Sequence, residues 1–400
     1  MNNENFQICL LKDVLLPVDG YIRGPFGSAL KKEDMETEGF PVYEQQHAIY
    51  NHRKFRYFVN EIKYESMKRF SVQANDIIIS CSGTIGCVSI IKKSDPIGII
   101  NQALLILRSD TSKIIPEFLK YYLLAYEGHQ SLIECSKGSV QVNIAKRSVI
   151  ENMKIKLPSI ERQRVIVDVL SSLDSKKEKN IEEIKTYQEI LNTIYMKWFS
   201  CVNENQDGWE LSNVFDHVTE SRVKNKDDHR YQVLSVIKEG EFRPSEEVFT
   251  KQVYSKNTTN YKIVKKNQVA YNPARANIGS IAMLKDYELG IVSPIYVVFE
   301  MKETITPTYF YYYMKQPMFL EGIKHHAIGT TRQNFPFEAF KMFPMVVPPM
   351  ALQLEFEKTA KPIEEKIAKL KEENEVLAEI RDTLLPKLMN GEISLEEGEQ

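Results

Sequence analysis

The stretch "VVPPMALQLEFEKTAKPIEEKIAKL", Val346 to Leu370, decides how the rest of the chain is read. Two prolines open it, Gln353 stands five residues after Pro348, and a ribbon of polar and apolar residues follows. An earlier stretch, "KLPSIERQRVIVDVLSSLDSKKEKN" from Lys156 to Asn180, keeps that order with Pro158 and Gln163. A shift of 190 positions superposes the two without a gap. It also brings Lys176 onto Lys366, Glu189 onto Glu379, Ile190 onto Ile380, Thr193 onto Thr383 and Lys197 onto Lys387. A repeat at a fixed period is an architectural statement, so it is read before any single element.

The first ribbon places Ile166, Leu170, Leu173, Ile184, Tyr187, Leu191, Ile194 and Trp198 at alternating steps of three and four, with polar Lys177 and Asn180 at intervening steps. The second does so with Ile363, Ile367, Leu370, Leu377, Leu384 and Leu388, with Asn374 and Arg381 at its polar steps. Both fit a heptad seam in one register. Each predicts a helix of about 40 residues, roughly 60 Å long. Neither can bury its stripe alone. Antiparallel packing of one on the other is the simplest solution, and pairing between two copies of the chain is the alternative. Pro158 and Pro348 suit helix starts, and Gly391 after Asn390 suits the second helix's end.

The blocks before the ribbons repeat more faintly. "NDIIISCSGTIGCVSII" (Asn75 to Ile91) parallels "NQVAYNPARANIGSIAML" (Asn267 to Leu284), each a strand, a polar glycine-containing loop and a strand. Then come the β-like runs "GIINQALLILRS" and "GIVSPIYVVFEM", and the aromatic helices "IPEFLKYYLLAY" and "TPTYFYYYMKQP". "KGSVQVNIAKRSV" and "AIGTTRQNFPFEAF" follow, with Asn143 matching Asn334. Tyr121, Tyr122, Tyr311, Tyr312 and Tyr313 sit in helical settings that argue for core packing.

Composition bounds the class. The 400 residues are 43% hydrophobic and 26% charged, which describes a soluble globular chain of two or more domains. No apolar run of about 18 residues predicts a membrane span, and the N-terminus lacks the pattern of a secretory signal. Five scattered cysteines form no zinc set and fit reduced thiols in a cytoplasmic protein. The net charge of −2 is uneven: residues 346–400 hold 7 Lys and Arg against 13 Asp and Glu. The two long blocks are correspondingly mildly basic, which permits a nucleic-acid partner without demanding one.

Catalytic constellations are missing. The chain has no GxxxxGK[ST] phosphate loop, no GxSxG elbow and no HExxH pair. "YNPAR" (Tyr271 to Arg275) is similar to the Asn-Pro-Pro-aromatic motif of amino-methyltransferases but lacks the second proline and the aromatic. No glycine-rich S-adenosylmethionine motif precedes it.

The layout resembles the specificity (S) subunit of type I restriction–modification systems over essentially the whole chain. "LPSIERQRVIVDVLSSLD" and "VPPMALQLEFEKTAKPIEEKI" carry the resemblance, with "GEISL" after the second helix and "NDIIISCSGTIG" and "GSVQVNI" in the first block. The duplicated order makes it specific. "YNPARANIG" departs from the Ser-Gly pattern of "SCSGTIG". The fold class expected is α+β: two globular α/β target-recognition domains joined by two long antiparallel coiled-coil helices, with an internal pseudo-two-fold repeat. The divisions are residues 1–156 and 206–345 for the domains, 157–205 for the first helix and 346–400 for the second helix and tail.

The resemblance implies a non-catalytic subunit in which each domain reads half of a split site in double-stranded DNA. It implies docking of two methyltransferase subunits and of restriction/translocase subunits. S-adenosylmethionine, ATP and magnesium would belong to those partners. A split site needs two readers at fixed spacing, and half-sites one turn apart lie about 34 Å from each other. Base edges are read by polar side chains on exposed elements. Those expected are Ser80, Ser82, Thr84, Lys137, Ser139, Gln141 and Asn143 in the first block, and Asn272, Arg275, Asn277, Thr330, Thr331, Arg332, Gln333 and Asn334 in the second. Gly83, Gly86 and Gly279 would let the loop backbone turn or approach the duplex. Lys146, Arg147, Lys265 and Lys266 would meet phosphates. Beside this stand the plainer readings: ordinary turns between strands, and Asn143 and Asn334 as helix caps. Rival functions are a protein-interaction scaffold and a methyltransferase with fused recognition domains.

Overall fold

The structure, a computed structural model, describes residues 6–26, 29–134, 144, 146–199, 208–227, 229–248, 257–327 and 334–393. It divides into two compact units, Met1–Glu178 with Asn374–Gln400, and Lys179–Glu373. Each unit thus takes one block together with part of both long helices.

Each block is built on a four-stranded antiparallel sheet. In unit one the strands are β1 (Tyr21–Arg23), β2 (Ile77–Ser80), β3 (Val88–Ile90) and β4 (Leu104–Leu107), in the order β1-β4-β2-β3. In unit two they are β5 (Val218–Ser221), β6 (Val269–Tyr271), β7 (Ile281–Met283) and β8 (Val297–Met301), in the order β5-β8-β6-β7. The two orders are the same. The central strands read as unbroken apolar runs because both sheet faces are covered. Ile77, Ile79, Leu105 and Leu107 enter one core, while Ile78, Leu104 and Ile106 enter another. Val269, Tyr271 and Phe299 divide from Ala270 and Val298 in the same way. Successive side chains of a strand point to opposite faces, which produces this split.

A two-stranded pair recurs as well. Gln7–Leu10 pairs with Lys154–Leu157, and Glu210–Asn213 pairs with Pro344–Val347. Four helices carry the repeat: α1 (Pro116–Leu124), α2 (Ile160–Phe199), α3 (Pro307–Met314) and α4 (Met350–Met389). Both long helices run 40 residues, as their heptads predict. They begin at Ile160 and Met350, so Pro158 and Pro348 lie just outside rather than in the first turn.

The repeated glutamine explains the repeated proline. Gln163 is fully buried; its Oε1 accepts the Ile115 amide at 2.8 Å, and its Nε2 donates to the carbonyls of Pro158 (3.0 Å) and Lys113 (3.2 Å). Gln353 does the same with the Thr306 amide (2.8 Å) and the carbonyls of Pro348 (2.8 Å) and Thr304 (3.2 Å). Ile115 and Thr306 are the N-cap residues of α1 and α3. One buried amide therefore ties the start of a long helix to the start of an aromatic helix, with donor and acceptor both used.

Within each unit the long helices run antiparallel. In unit one Lys156 bonds Asn390 and Asp174 meets Arg381, so partners descend α4 as α2 rises. Ile166 and Leu170 share a core with Leu385, Leu388 and Met389. In unit two Asn180 bonds Glu373 at 2.8 Å, and Leu191 and Tyr195 share a core with Phe356 and Ala360. The polar seam positions Asn180 and Arg381 are thus placed facing polar partners. Gly391 adopts φ +73°, with the Glu392 amide donating back to the Lys387 carbonyl at 2.9 Å. That left-handed residue closes α4 as expected. Tyr121, Tyr122, Tyr312 and Tyr313 are buried and Tyr311 is partly buried, so these rings are core.

Candidate nucleic-acid interface

In unit one the loop between β2 and β3 is closed from within. Ser80 is buried; its hydroxyl donates to the Thr84 carbonyl at 2.7 Å and accepts from the Cys87 amide at 3.0 Å. This corrects Ser80 as a base-reading residue, because both functions of its hydroxyl hold the loop. Gly83 and Gly86 have φ +64° and +78°. A Cβ at Gly83 would meet nothing within 4 Å, whereas one at Gly86 would sit 3.5 Å from the His129 ring. Gly86 therefore packs inward, and Gly83 and Thr84 form the exposed tip.

Beside this tip lies a cleft of about 870 Å³. Ser82, Lys146 and Arg147 line it, joined by Arg23, Phe26, Arg69 and Gln102. Four basic side chains share this concavity, and among the described residues its lining contains no acid. The Arg147 guanidinium lies 5.3 Å from the Tyr21 ring and its Nε donates to Glu151 at 2.7 Å. The Arg23 guanidinium lies 5.8 Å from the exposed Phe26 ring, and its buried Nη1 has no hydrogen-bond partner among the described residues. Burial pushes the Tyr21 phenol up to about 12, against the charges of Arg23 and Arg147. Burial likewise pushes the Cys81 thiol up to about 12, so it is no nucleophile. Sequence reasoning missed Arg23, Phe26, Arg69 and Gln102. Arg23 ends β1 with Phe26 just after it, Arg69 lies in a 3-10 turn and Gln102 precedes β4, and only the fold brings them to Ser82 and Lys146.

In unit two the loop after β6 is buttressed by its own chain. Asn272 Oδ1 accepts the Ala274 amide at 3.0 Å, and a 3-10 turn spans Ala276–Ile278. Gly279 has φ +99°, and a Cβ there would lie 2.3 Å from the Lys238 carbonyl. Gly279 thus lets the loop turn, as expected of it, and its close approach is to the chain itself. Arg275 is exposed and Asn277 is partly buried on this loop. Lys265 and Lys266 precede β6, whereas Asn272 follows it, so the two lysines stand at the other end of the strand. Lys266 is also ion-paired with Glu288. A phosphate met by these lysines would lie away from that loop. Asn334 is exposed, and the caps of Arg147–Glu151 and Phe337–Met342 are Lys146 and Pro336. Asn334 therefore does not cap the helix that follows it. Lys137, Ser139, Gln141, Asn143, Thr330, Thr331, Arg332 and Gln333 lie outside the described residues.

Among the described residues no group of three or more His, Cys, Asp or Glu is arranged to hold a metal ion. Nor is any described helix long and apolar enough to cross a membrane.

The family model of the type I restriction modification DNA specificity domain matches residues 26–190. That span holds the first loop, Lys146, Arg147 and Gln163. The chain is related to the specificity subunits of type I restriction–modification systems. It is 22% identical over 311 residues to the type I restriction enzyme MjaIX specificity subunit of Methanocaldococcus jannaschii, covering 71% of this chain and 70% of that one. A putative MjaX specificity subunit from the same organism is 27% identical over 121 residues, 30% of this chain and 28% of its own. The crystal structure of a type I restriction–modification S subunit from M. genitalium shares the fold, with a TM-score of 0.57 at 17% identity over 97% of both chains.

Proposed function

We propose that the chain is the DNA-recognition subunit of a type I restriction–modification enzyme, with unit one and unit two each reading half of a split duplex site. One observation carries this. The specificity-domain match covers only the first block and most of α2, and unit two rebuilds that block with the same sheet order and the same glutamine tie. Two non-identical readers on one chain suit an asymmetric two-part site. The basic cleft beside the Gly83 tip suits duplex DNA, since cations contact phosphates and exposed polar groups contact base edges. Methylation and cleavage would then belong to docked methyltransferase and restriction subunits, which would supply S-adenosylmethionine, ATP and magnesium.

Selection from a pool of random-sequence duplexes tests the reading. The full chain is expected to enrich two short conserved blocks at a fixed separation. Retention of the pool without enrichment would leave a non-specific polyanion binder, and no retention would favour a protein-interaction scaffold.

A further inference from the structure

Strand register makes the two units comparable position by position. Tyr21 on β1 and Ile77 on β2 both face Leu107 across β4. Glu220 on β5 and Val269 on β6 both face Phe299 across β8. Tyr21 and Glu220 therefore hold the same place, and two residues further stand Arg23 and Arg222. In the short helix after the second loop, the first turn carries Arg147 in unit one and Glu338 in unit two. Where unit one has a tyrosine between two arginines, unit two has two carboxylates around one guanidinium.

The details of that cluster point outward. Arg222 donates through Nε (2.9 Å) and Nη2 (2.6 Å) to Glu220 Oε2. Its Nη1 keeps two hydrogens for another acceptor. Glu338 is exposed and, among the described residues, makes no hydrogen bond or ion pair, though its charge reaches both Arg222 and Tyr271. The fully buried Tyr271 hydroxyl has no hydrogen-bond partner among the described residues. A solvated surface pair would account for Arg222 and Glu220, and such pairs contribute little. It does not account for an acid at Glu338, in the place that unit one gives to Arg147.

We propose that Glu338, together with Arg222 oriented by Glu220, reads a G·C base pair in the major groove of the half-site taken by unit two. The inference rests on the DNA-recognition function proposed above. A carboxylate facing a polyanion is repelled unless it meets a donor. In the major groove cytosine offers its N4 amino group as donor, while guanine offers O6 and N7 as acceptors. Glu338 answers the first and Arg222 the second, so one cluster matches both bases of the pair. Unit one carries cations at the same places and would treat its half-site differently.

The test repeats the random-duplex selection with the full chain as wild type, Glu338→Ala and Glu338→Gln. Glu338 is exposed and makes no hydrogen bond or ion pair among the described residues, so both variants are expected to keep the fold. Glu338→Ala is expected to lower the preference for one G·C position about tenfold, in one half-site only. Glu338→Gln is expected to drift that position towards A·T, because an amide suits the adenine N6/N7 edge. A selective wild type whose two variants enrich an unchanged site would overturn this inference alone. A wild type that enriches nothing would overturn the DNA-recognition function and the inference with it.

Discussion

Two kinds of side chain matter most at the residue scale. The first is the buried glutamine tie. Gln163→Ala removes three hydrogen bonds and leaves the Ile115 amide and two carbonyls without partners. Unsatisfied buried groups are costly, so the variant is expected to lose about 2–4 kcal/mol, visible as a lowered urea midpoint. Gln353→Ala is expected to match it in unit two, and an unshifted midpoint for either would remove the tie from the account. The second kind is the cation of the basic cleft. Lys146→Ala is expected to weaken cognate and random duplexes alike, and to reduce the salt dependence of binding by about one counterion. Loss confined to the cognate duplex would instead make Lys146 a base reader. The sequence made Lys146 visible because it stands in a repeated loop. It hid Arg23 and Arg69, because a cleft assembled from distant segments leaves no local pattern. It also misassigned Ser80, because exposure of a loop serine is decided by hydrogen bonds that pattern alone does not reveal.

At the element scale, the long helices were legible almost to their ends. Heptad spacing, proline at the start and glycine at the end each have a local cause. What the heptad could not give was the partner of each polar seam residue. Asp174 on α2 accepts from the Tyr121 hydroxyl at 2.8 Å and lies 3.2 Å from Lys120 and 3.4 Å from Arg381. Burial pushes its carboxyl up, but Lys120, the Tyr121 hydroxyl and Arg381 together hold it below the ordinary value. The unfolded chain therefore takes up this proton at higher pH than the folded chain. The contribution is complete above the usual aspartate pKa of about 4 and is lost as pH falls through the lowered folded value. Asp174→Asn is expected to cost about 1–2 kcal/mol at neutral pH and progressively less in acid. Urea midpoints of wild type and variant at about pH 7 and pH 3 would check this. A gap that stayed constant would show that Asp174 contributes through packing rather than charge.

The scale of the whole molecule is where the repeat acquires its meaning. The same sheet order and the same tie appear twice, yet the side chains at equivalent places differ: Tyr21 and Arg147 in one unit, Glu220 and Glu338 in the other. A frame that stays constant while its loops vary suits a protein whose partner sequence varies. The repeat was legible because backbone ties and helix seams constrain residue types. The faces were less legible, because many side chains satisfy an exposed loop. The central claim is that one chain directs modification to a two-part DNA site. Co-expression with a type I methyltransferase subunit, followed by sequencing of modified bases in host DNA, tests it most directly. The account predicts a methylated motif of two short blocks with a fixed unconserved spacer, present only when this chain is present. Methylation at a single continuous motif, or at the same motif without the chain, would contradict it.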